Sequence, residues 1–408
     1  MAKIIFTEEF CKPENLHPFT LTRQIQDLRI GILTIREKWE YALKLSSFDK
    51  FEDDYKDLDR CIRIDASMPN ETYYLIHGNL LPTPKLVKAV KKLKAGQFIT
   101  MNEGQGVVYC FTKKEVKDYN QVEVKKAIDI REEDLSILFP WDIFQKNDLA
   151  IRHDFEMITN KRKSKKLSRT NKLLNPENIF VEEGVQADHV IINANEGPVY
   201  IGKDVILMEG TIIRGPVSIG KDSVIKMGTR IYGATTIGPG CVVGGEIKNS
   251  VMFSNSNKAH DGYLGDAVVG EWCNLGAGTS NSNMKNNAGT VRIWTPNGYL
   301  EAGNKCGVFM GDFTKTAKRF DIIFDAVGKT SKPKCKPLLK QGGKFVSVIH
   351  TPKSNAGDLL VLKELIESGK LITVIDRRYP LEQIREAHAY VESFRKKGNV
   401  VVNVISNQ

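Results

Sequence analysis

VYIGKDVILMEGTIIRGPVSIGKDSVIKMGTRIYGATTIGPGCVV, residues 199–243, places an aliphatic side chain at every sixth position: Ile201, Leu207, Ile213, Ile219, Ile225, Ile231, Ile237 and Val243. Small or β-branched residues stand two places earlier, at Val199, Val205, Thr211, Val217, Ser223, Thr229, Thr235 and Cys241. An Ile-Gly pair returns every eighteen residues, at 201–202, 219–220 and 237–238. A period of six fits neither the helical repeat of 3.6 nor the alternation of a simple strand. It fits a chain in which six residues make one flat face and three faces close one triangular coil. This is a left-handed parallel β-helix of hexapeptide repeats, with each aliphatic residue stacked inside on its equivalent one coil away. An ordinary β-sandwich is the alternative, and eight unbroken matches weigh against it.

The pattern stops after Val243. The next positions in phase are Asn249, Asn255 and Asp261, within IKNSVMFSNSNKAHDGYLGD (247–266), and it resumes out of phase at Val269 and Leu275. The expectation is that residues are inserted here as a loop, and local failure of a strong pattern marks functional sites. Arg230 and Lys248 are eighteen residues apart. On regular coils they share a face in adjacent coils, about one strand spacing (~4.8 Å) apart. Two cations held that close call for an anion such as a phosphate. His260, in the polar stretch beyond, is a side chain able to accept a proton near neutral pH. Tyr263, Asn274 and Asn283 offer neutral hydrogen-bonding groups suited to a sugar. Taken singly, each also fits an exposed cation, a solvated histidine or a turn.

Outward from the repeat, the chain divides into four segments. Residues 1–155 alternate apolar runs with helical stretches, as an α/β domain does. Within them YYLIHG (73–78) reads as a buried strand and KLVKAVKKLKAG (85–96) as a helix ended by glycine. Residues 156–175 read as a basic linker, with seven basic and no acidic residues in KRKSKKLSRTNK (161–172). Residues 176–316 hold the β-helix. Residues 317–408 return to βαβ grammar: FDIIFDAVG (320–328) as a strand, LLKQGGKFVSV (338–348) as helix end, turn and strand, and LLVLKELIESGKL (359–371) as an amphipathic helix.

Composition narrows the function classes. The net charge of +10 admits nucleic acid as a partner. Yet no aromatic residue interleaves with the basic run, so bases would have no stacking platform, and anionic sugar phosphates suit a basic protein equally well. The seven cysteines are scattered singly, without a CxxC pair, which argues against a disulfide framework and a structural zinc site. No apolar stretch is long enough to cross a membrane and the start carries no signal peptide, so a cytoplasmic protein without a membrane partner is expected.

At KAHDGYLGDAVVGEWCNLGAGTSNSN (258–283), with its H-x-x-Y, N-x-G-A-G-T and later asparagine, the sequence resembles a bifunctional family. That family is N-acetylglucosamine-1-phosphate uridylyltransferase/glucosamine-1-phosphate N-acetyltransferase, of UDP-N-acetylglucosamine biosynthesis. The resemblance implies a transferase that N-acetylates a hexosamine 1-phosphate with acetyl-CoA as donor. It implies a phosphate clamp from Arg230, Lys248 and Tyr263, sugar contacts from Asn274 and Asn283, and His260 as general base. It further implies a homotrimer with the site between subunits.

HPFTLTRQIQDLRIGILTIREKWE (17–40) and FPWDIFQKNDLAIRHDF (139–155) look like an alternative, shortened sugar-nucleotidyltransferase domain of that family. The implied activity is nucleotidyl transfer from UTP with Mg²⁺. Family members cradle phosphates with a glycine-rich loop; this chain has Thr22-Arg23 and no glycine there. Where the family offers an aspartate to the metal it has Asn79, a poorer ligand for a hard cation. Arg23, Arg29 and Lys38 are the remaining phosphate-binding candidates, and no metal ligand set is assigned.

The C-terminal FDIIFDAVGKTSKPKCKPLLKQGGKFVSV (320–348) and GKLITVIDRRYPLEQIREAHAYVESFRKKGNVVVNV (369–404) resemble the end of a medium-chain zinc-type dehydrogenase or quinone reductase. This is a partial Rossmann-type segment without the glycine fingerprint or the zinc ligands. The junction near Asp312–Ala317 falls where the acyltransferase family continues with coils carrying part of the acetyl-CoA site. Two other readings follow from this fusion: a catalytically impaired β-helix that binds sugar phosphate or assembles trimers, and, ranked last, an NADPH-dependent oxidoreductase.

Overall fold

A computed structural model describes residues 2–8, 11–47, 69–116, 122–132, 135–296 and 298–316, and shorter stretches of the C-terminal segment between 320 and 403. The chain forms two compact units, residues 1–317 and 318–408.

The first unit begins with a five-stranded mixed sheet. Its strands run in the order Ala2–Thr7, Thr72–His77, Gly106–Thr112, Gln97–Met101, Lys126–Ile130. The first two are parallel, and Gly106–Thr112 is antiparallel to both of its neighbours. Helix Ile35–Leu43 starts in a capping box, with the Thr34 hydroxyl accepting the Glu37 N–H at 3.2 Å and the Glu37 carboxylate accepting the Thr34 N–H at 2.7 Å. Ile35, Trp39 and Leu43, one helical turn apart, give it a buried stripe. The helix expected at 85–96 is shorter: Thr83 caps it, Pro84 opens it, and it ends at Val90.

From Lys172 the chain winds into the three-sided prism, a left-handed parallel β-helix. Its three parallel sheets hold seven, six and seven strands. All eight aliphatic residues of the six-residue period point inward, none more than 2% exposed, and the eight residues two places earlier are wholly buried. Each such Ile or Leu contributes about 1.5–3 kcal/mol by leaving water. One corner of each coil needs a left-handed backbone, and Asp204, Asp222, Gly240 and Asn255 supply it, residue types that tolerate that conformation.

One face, from Ile179–Val181 through Thr235–Ile237 and Val251–Met252 to Phe309–Met310, is covered by the N-terminal domain. Phe253 and Phe309 pack against Phe19, with ring centroids 5.4 and 6.4 Å apart. The Thr236 hydroxyl donates to the Gly31 carbonyl at 2.8 Å, and the Asn147 amide donates to that of Ala234, also at 2.8 Å. The other two faces are the arginine face, which carries Arg230 and Tyr263, and the asparagine face, which carries Asn257 and Asn274.

The polar stretch after Val243 corrects the sequence reading. No loop is inserted there. Ile247, Met252, Lys258 and Leu264 continue the inward ladder in register with Ile231, Ile237, Val243 and Ile247. The coils have instead lost residues at their corners, so sixteen residues, not eighteen, separate Arg230 from its partner Glu246. The true insertion lies later, between Leu275 and Phe309, and includes an antiparallel hairpin, Arg292–Thr295 with Gly298–Glu301. That hairpin folds back on the N-terminal domain, where Ala302 and Cys306 join its core and the Gln145 amide donates to the Ala302 carbonyl at 3.0 Å.

The second unit, described by itself, contains the parallel pair Phe320–Asp325 with Leu339–Ser347. A second parallel pair joins Ile375–Pro380 to Asn399–Asn403, with helix Ile384–Glu392 packed beside both of these strands. The helix end expected at the start of 338–348 is absent from its described part, because Leu339–Ser347 is strand throughout. The amphipathic helix expected at 359–371 lies largely outside the described residues. Among the described residues no helix is long and apolar enough to cross a membrane.

Candidate functional site

On the arginine face, outward side chains stack in columns because each coil pairs in parallel with the next. One column reads Ile191, Ile212, Arg230, Glu246, Tyr263. Arg230 and Lys248 do lie on this one face in adjacent coils, both exposed. They are not directly opposite, however: the shortened coil puts Glu246 beside Arg230 and moves Lys248 two residues along. From strand spacing and rise, the two Cα atoms are roughly 8 Å apart on the diagonal. Glu246 Oε2 accepts from Arg230 Nε at 3.4 Å and from Nη2 at 3.5 Å. With both side chains solvated, this long contact is weak, on the order of a few tenths of a kcal/mol, and an incoming dianion can displace it.

The Tyr263 ring lies across Gly265, where an added Cβ would sit 2.1 Å from the phenol oxygen, so residue 265 must be glycine for the ring to occupy this place. Asn283 donates to the Tyr263 oxygen at 3.1 Å and to the Asp266 carboxylate. Burial and then the Asp266 charge push the Tyr263 hydroxyl above its ordinary pKa, keeping it a donor. Asn281 clamps the same strand, accepting from the Gly265 N–H at 3.0 Å and donating to the Gly265 carbonyl at 2.9 Å. The sequence reading missed Glu246, Asp266 and Asn281. A count of sixteen residues for this coil would have exposed Glu246; nothing in the local pattern marks the other two.

His260 occupies the corner between the asparagine and arginine faces. Its imidazole is exposed and, among the described residues, makes no hydrogen bond to the chain. The corner is tight. Gly262 has φ +133° and would place a Cβ 2.1 Å from the Thr279 carbonyl oxygen, so the segment after Leu275 crosses directly over it. Asn274 lies in the next coil on the asparagine face, paired with Asn257 on one side and Lys315 on the other. The structure therefore brings Arg230, Lys248, Tyr263 and Asn283 together on or beside one face. It places His260 at the edge and Asn274 around that edge.

The N-terminal candidates have a different setting. Lys38 is buried and donates to Asp154, which also accepts the Ile32 and Leu33 N–H groups at 2.8 and 3.2 Å. Burial pulls the Lys38 pKa down and pushes that of Asp154 up, and each offsets the loss for the other. Arg29 donates to the Ile32 carbonyl at 2.5 Å. Arg23 bridges Asp312 and Glu271 of the prism and lies over the Phe253 ring. Asn79 is buried and accepts from Cys11 Sγ at 3.3 Å. As corrections to the sequence reading, Lys38 and Asn79 are consumed in internal bonds, and Arg23 docks the domain on the prism. No group of three or more His, Cys, Asp or Glu placed to hold a metal occurs among the described residues. With Asn79 turned to Cys11, the residues present do not fit the Mg²⁺ of nucleotidyl transfer.

Comparison with known proteins gives two separate likenesses. Residues 4–163 match the family model of sugar nucleotidyl transferases, and residues 351–402 match that of zinc-binding dehydrogenases. The bifunctional protein GlmU of Methanocaldococcus jannaschii is 35% identical over 71 residues, 17% of this chain and 17% of that protein. The bifunctional protein GlmU of Methanococcus vannielii is 26% identical over 194 residues, 45% of this chain and 38% of that protein. A probable mitochondrial zinc-binding oxidoreductase of Arthroderma benhamiae is 31% identical over 111 residues, 22% of this chain and 34% of that protein. The chain thus spans well under half the length of each. It joins a segment similar to sugar nucleotidyl transferases, a β-helix, and a segment similar to zinc-binding dehydrogenases.

Proposed function

We propose that this chain is a transferase of nucleotide-sugar biosynthesis whose β-helix transfers an acetyl group from acetyl-CoA to the amine of a hexosamine 1-phosphate. The observation that carries the reading is the arginine face: Arg230, Lys248 and Tyr263 within two adjacent coil spacings, Asn283 bonded to Tyr263, and an unbonded imidazole at the adjoining edge. The phosphate sits on Arg230, which can grip two oxygens at once, with Lys248 as second cation and the Tyr263 hydroxyl as neutral donor. Glu246 gives way to the ligand. Asn283 orients the phenol, and Asn274 reaches the sugar from around the edge.

His260 then accepts the proton that the sugar amine loses as its nitrogen attacks the thioester carbonyl. The C–N bond forms, the C–S bond breaks, and the departing thiolate takes up a proton. Because the groups are divided between two faces of a convex prism, one subunit does not enclose the sugar. A second copy, in a homotrimer with sites between subunits, closes it. No nucleotidyl-transfer step is assigned to the N-terminal domain, whose candidate residues are engaged elsewhere.

Release of free thiol from acetyl-CoA in the presence of glucosamine 1-phosphate tests the reaction. His260→Ala is expected to abolish release while the sugar phosphate still binds; unchanged release in that variant would reject His260 as base. One observation favours a second reading. Glu246 stands where an anion would bind Arg230, as it would in a catalytically impaired β-helix kept for assembly. That reading requires no thiol release from the unaltered chain and no protection of Arg230 by glucosamine 1-phosphate.

A further inference from the structure

The inward column on the asparagine face reads Ala187, Leu207, Ile225, Val243, Lys258, Leu275. Lys258 is 1% exposed and stands between Val243 and Leu275, inside an otherwise aliphatic stack. A buried ammonium is costly unless paired, and no carboxylate lies within ion-pair distance of this one among the described residues. Its Nζ is spent on two main-chain oxygens, donating to the His260 carbonyl at 2.6 Å and to the Gly244 carbonyl at 3.2 Å.

Those carbonyls belong to the same corner in successive coils. Gly244 lets the next coil lie directly on it, since an added Cβ would be 2.2 Å from the Ala259 oxygen. The His260 carbonyl therefore points at a group inside the prism, while the His260 side chain is exposed. The direction of a carbonyl sets the peptide plane, and with ψ confined to its sterically allowed range that plane restricts where the Cα–Cβ bond of the same residue projects. Without a donor inside, that carbonyl would face hydrocarbon unpaired, and the peptide would turn to find water.

We propose that Lys258 is a positioning residue for His260: its ammonium holds the His260 carbonyl toward the prism interior and so aims the imidazole outward at the arginine-face site. The proposal rests on the reading of His260 as general base. Lys258 itself touches no substrate. Burial lowers the pKa of its ammonium, against which the Asp261 charge acts.

Lys258→Met separates this role from simple stability, because methionine is unbranched, of similar length and suited to an apolar interior. The full chain is expected to keep its thermal midpoint within a few degrees, as replacing a buried charge by a packed apolar group often does. Acetyl transfer should fall about tenfold or more in kcat, with KM for glucosamine 1-phosphate changed less than about twofold, the signature of a misaimed base. In ring-labelled protein the His260 resonance should shift or double, while those of the six other histidines stay in place. Lys258→Gln, which retains a donor, should restore part of the loss and serves if the methionine variant does not fold. An unmoved His260 resonance in Lys258→Met overturns the proposal, as does a kcat of that variant within about twofold of the parent, or a glutamine variant no nearer the parent than the methionine one. If the parent chain transfers no acetyl group but the resonance still moves, the functional reading fails and the positioning contact stands.

Discussion

Two sets of basic side chains in this molecule have opposite settings. Lys38, Arg29 and Arg23 of the N-terminal domain are largely buried and end on Asp154, the Ile32 carbonyl, and the Asp312–Glu271 pair. Arg230 and Lys248 of the prism stand on an open face, and among the described residues only a long solvated contact to Glu246 engages either. In sequence the two sets look alike, as cations near a plausible phosphate site. In the fold the first holds the domain together and binds it to the prism, whereas the second is available to a ligand. A cation's partners, more than its presence in a motif, decide whether it can bind phosphate.

The contrast breaks most readily at the buried pair. Asp154→Ala strands the Lys38 ammonium in the core and should cost about 3–5 kcal/mol in urea unfolding, whereas the double change Lys38→Met with Asp154→Leu, which removes the charge but leaves the Ile32 and Leu33 N–H groups unpaired, should cost less, about 1–3 kcal/mol. A loss below about 1 kcal/mol for Asp154→Ala would mean that Lys38 escapes to solvent and is available after all.

The next effect is read by acid. His77, buried at the end of strand Thr72–His77, is held by burial at a pKa of about 4 against an ordinary 6.5. The unfolded chain then binds a proton before the folded one does. Stability from this group is complete above about pH 6.5 and is lost as pH falls toward 4. The maximum loss is ~3 kcal/mol. An unfolding free energy that His77→Gln leaves with the same slope between those pH values would show that the group is not buried as described.

The smallest stability effect belongs to the open face. Arg230→Gln should change unfolding free energy by less than about 0.5 kcal/mol, while glucosamine 1-phosphate binding weakens by at least about tenfold. A stability loss comparable to that of Asp154→Ala would erase the distinction between the two sets.

Much of the architecture was legible in the residues. A six-residue period from Ile201 to Val243 favours a three-sided coil over a β-sandwich, and the prism buries every sixth side chain accordingly. The strand at 72–77 is likewise a local signal, carried by adjacent apolar residues. His260, Tyr263 and Asn283 were legible as a group through the resemblance of their spacing to the family's. Their setting was not.

The reason is that the pattern tells which side of the chain faces in but not how many residues each corner holds. After Val243 the corners shorten, the polar Lys258 takes an inward place, and the count of eighteen fails. So the sequence alone determined the coil, its inward ladder and the chemical types at the site. Only the tertiary structure decided that Glu246 rather than Lys248 lies against Arg230, and that the inserted loop starts after Leu275. It also decided that Lys38 and Asn79 are spent inside their own domain. Those are contacts between residues distant in the chain, set by coil length and domain docking, which no local spacing encodes.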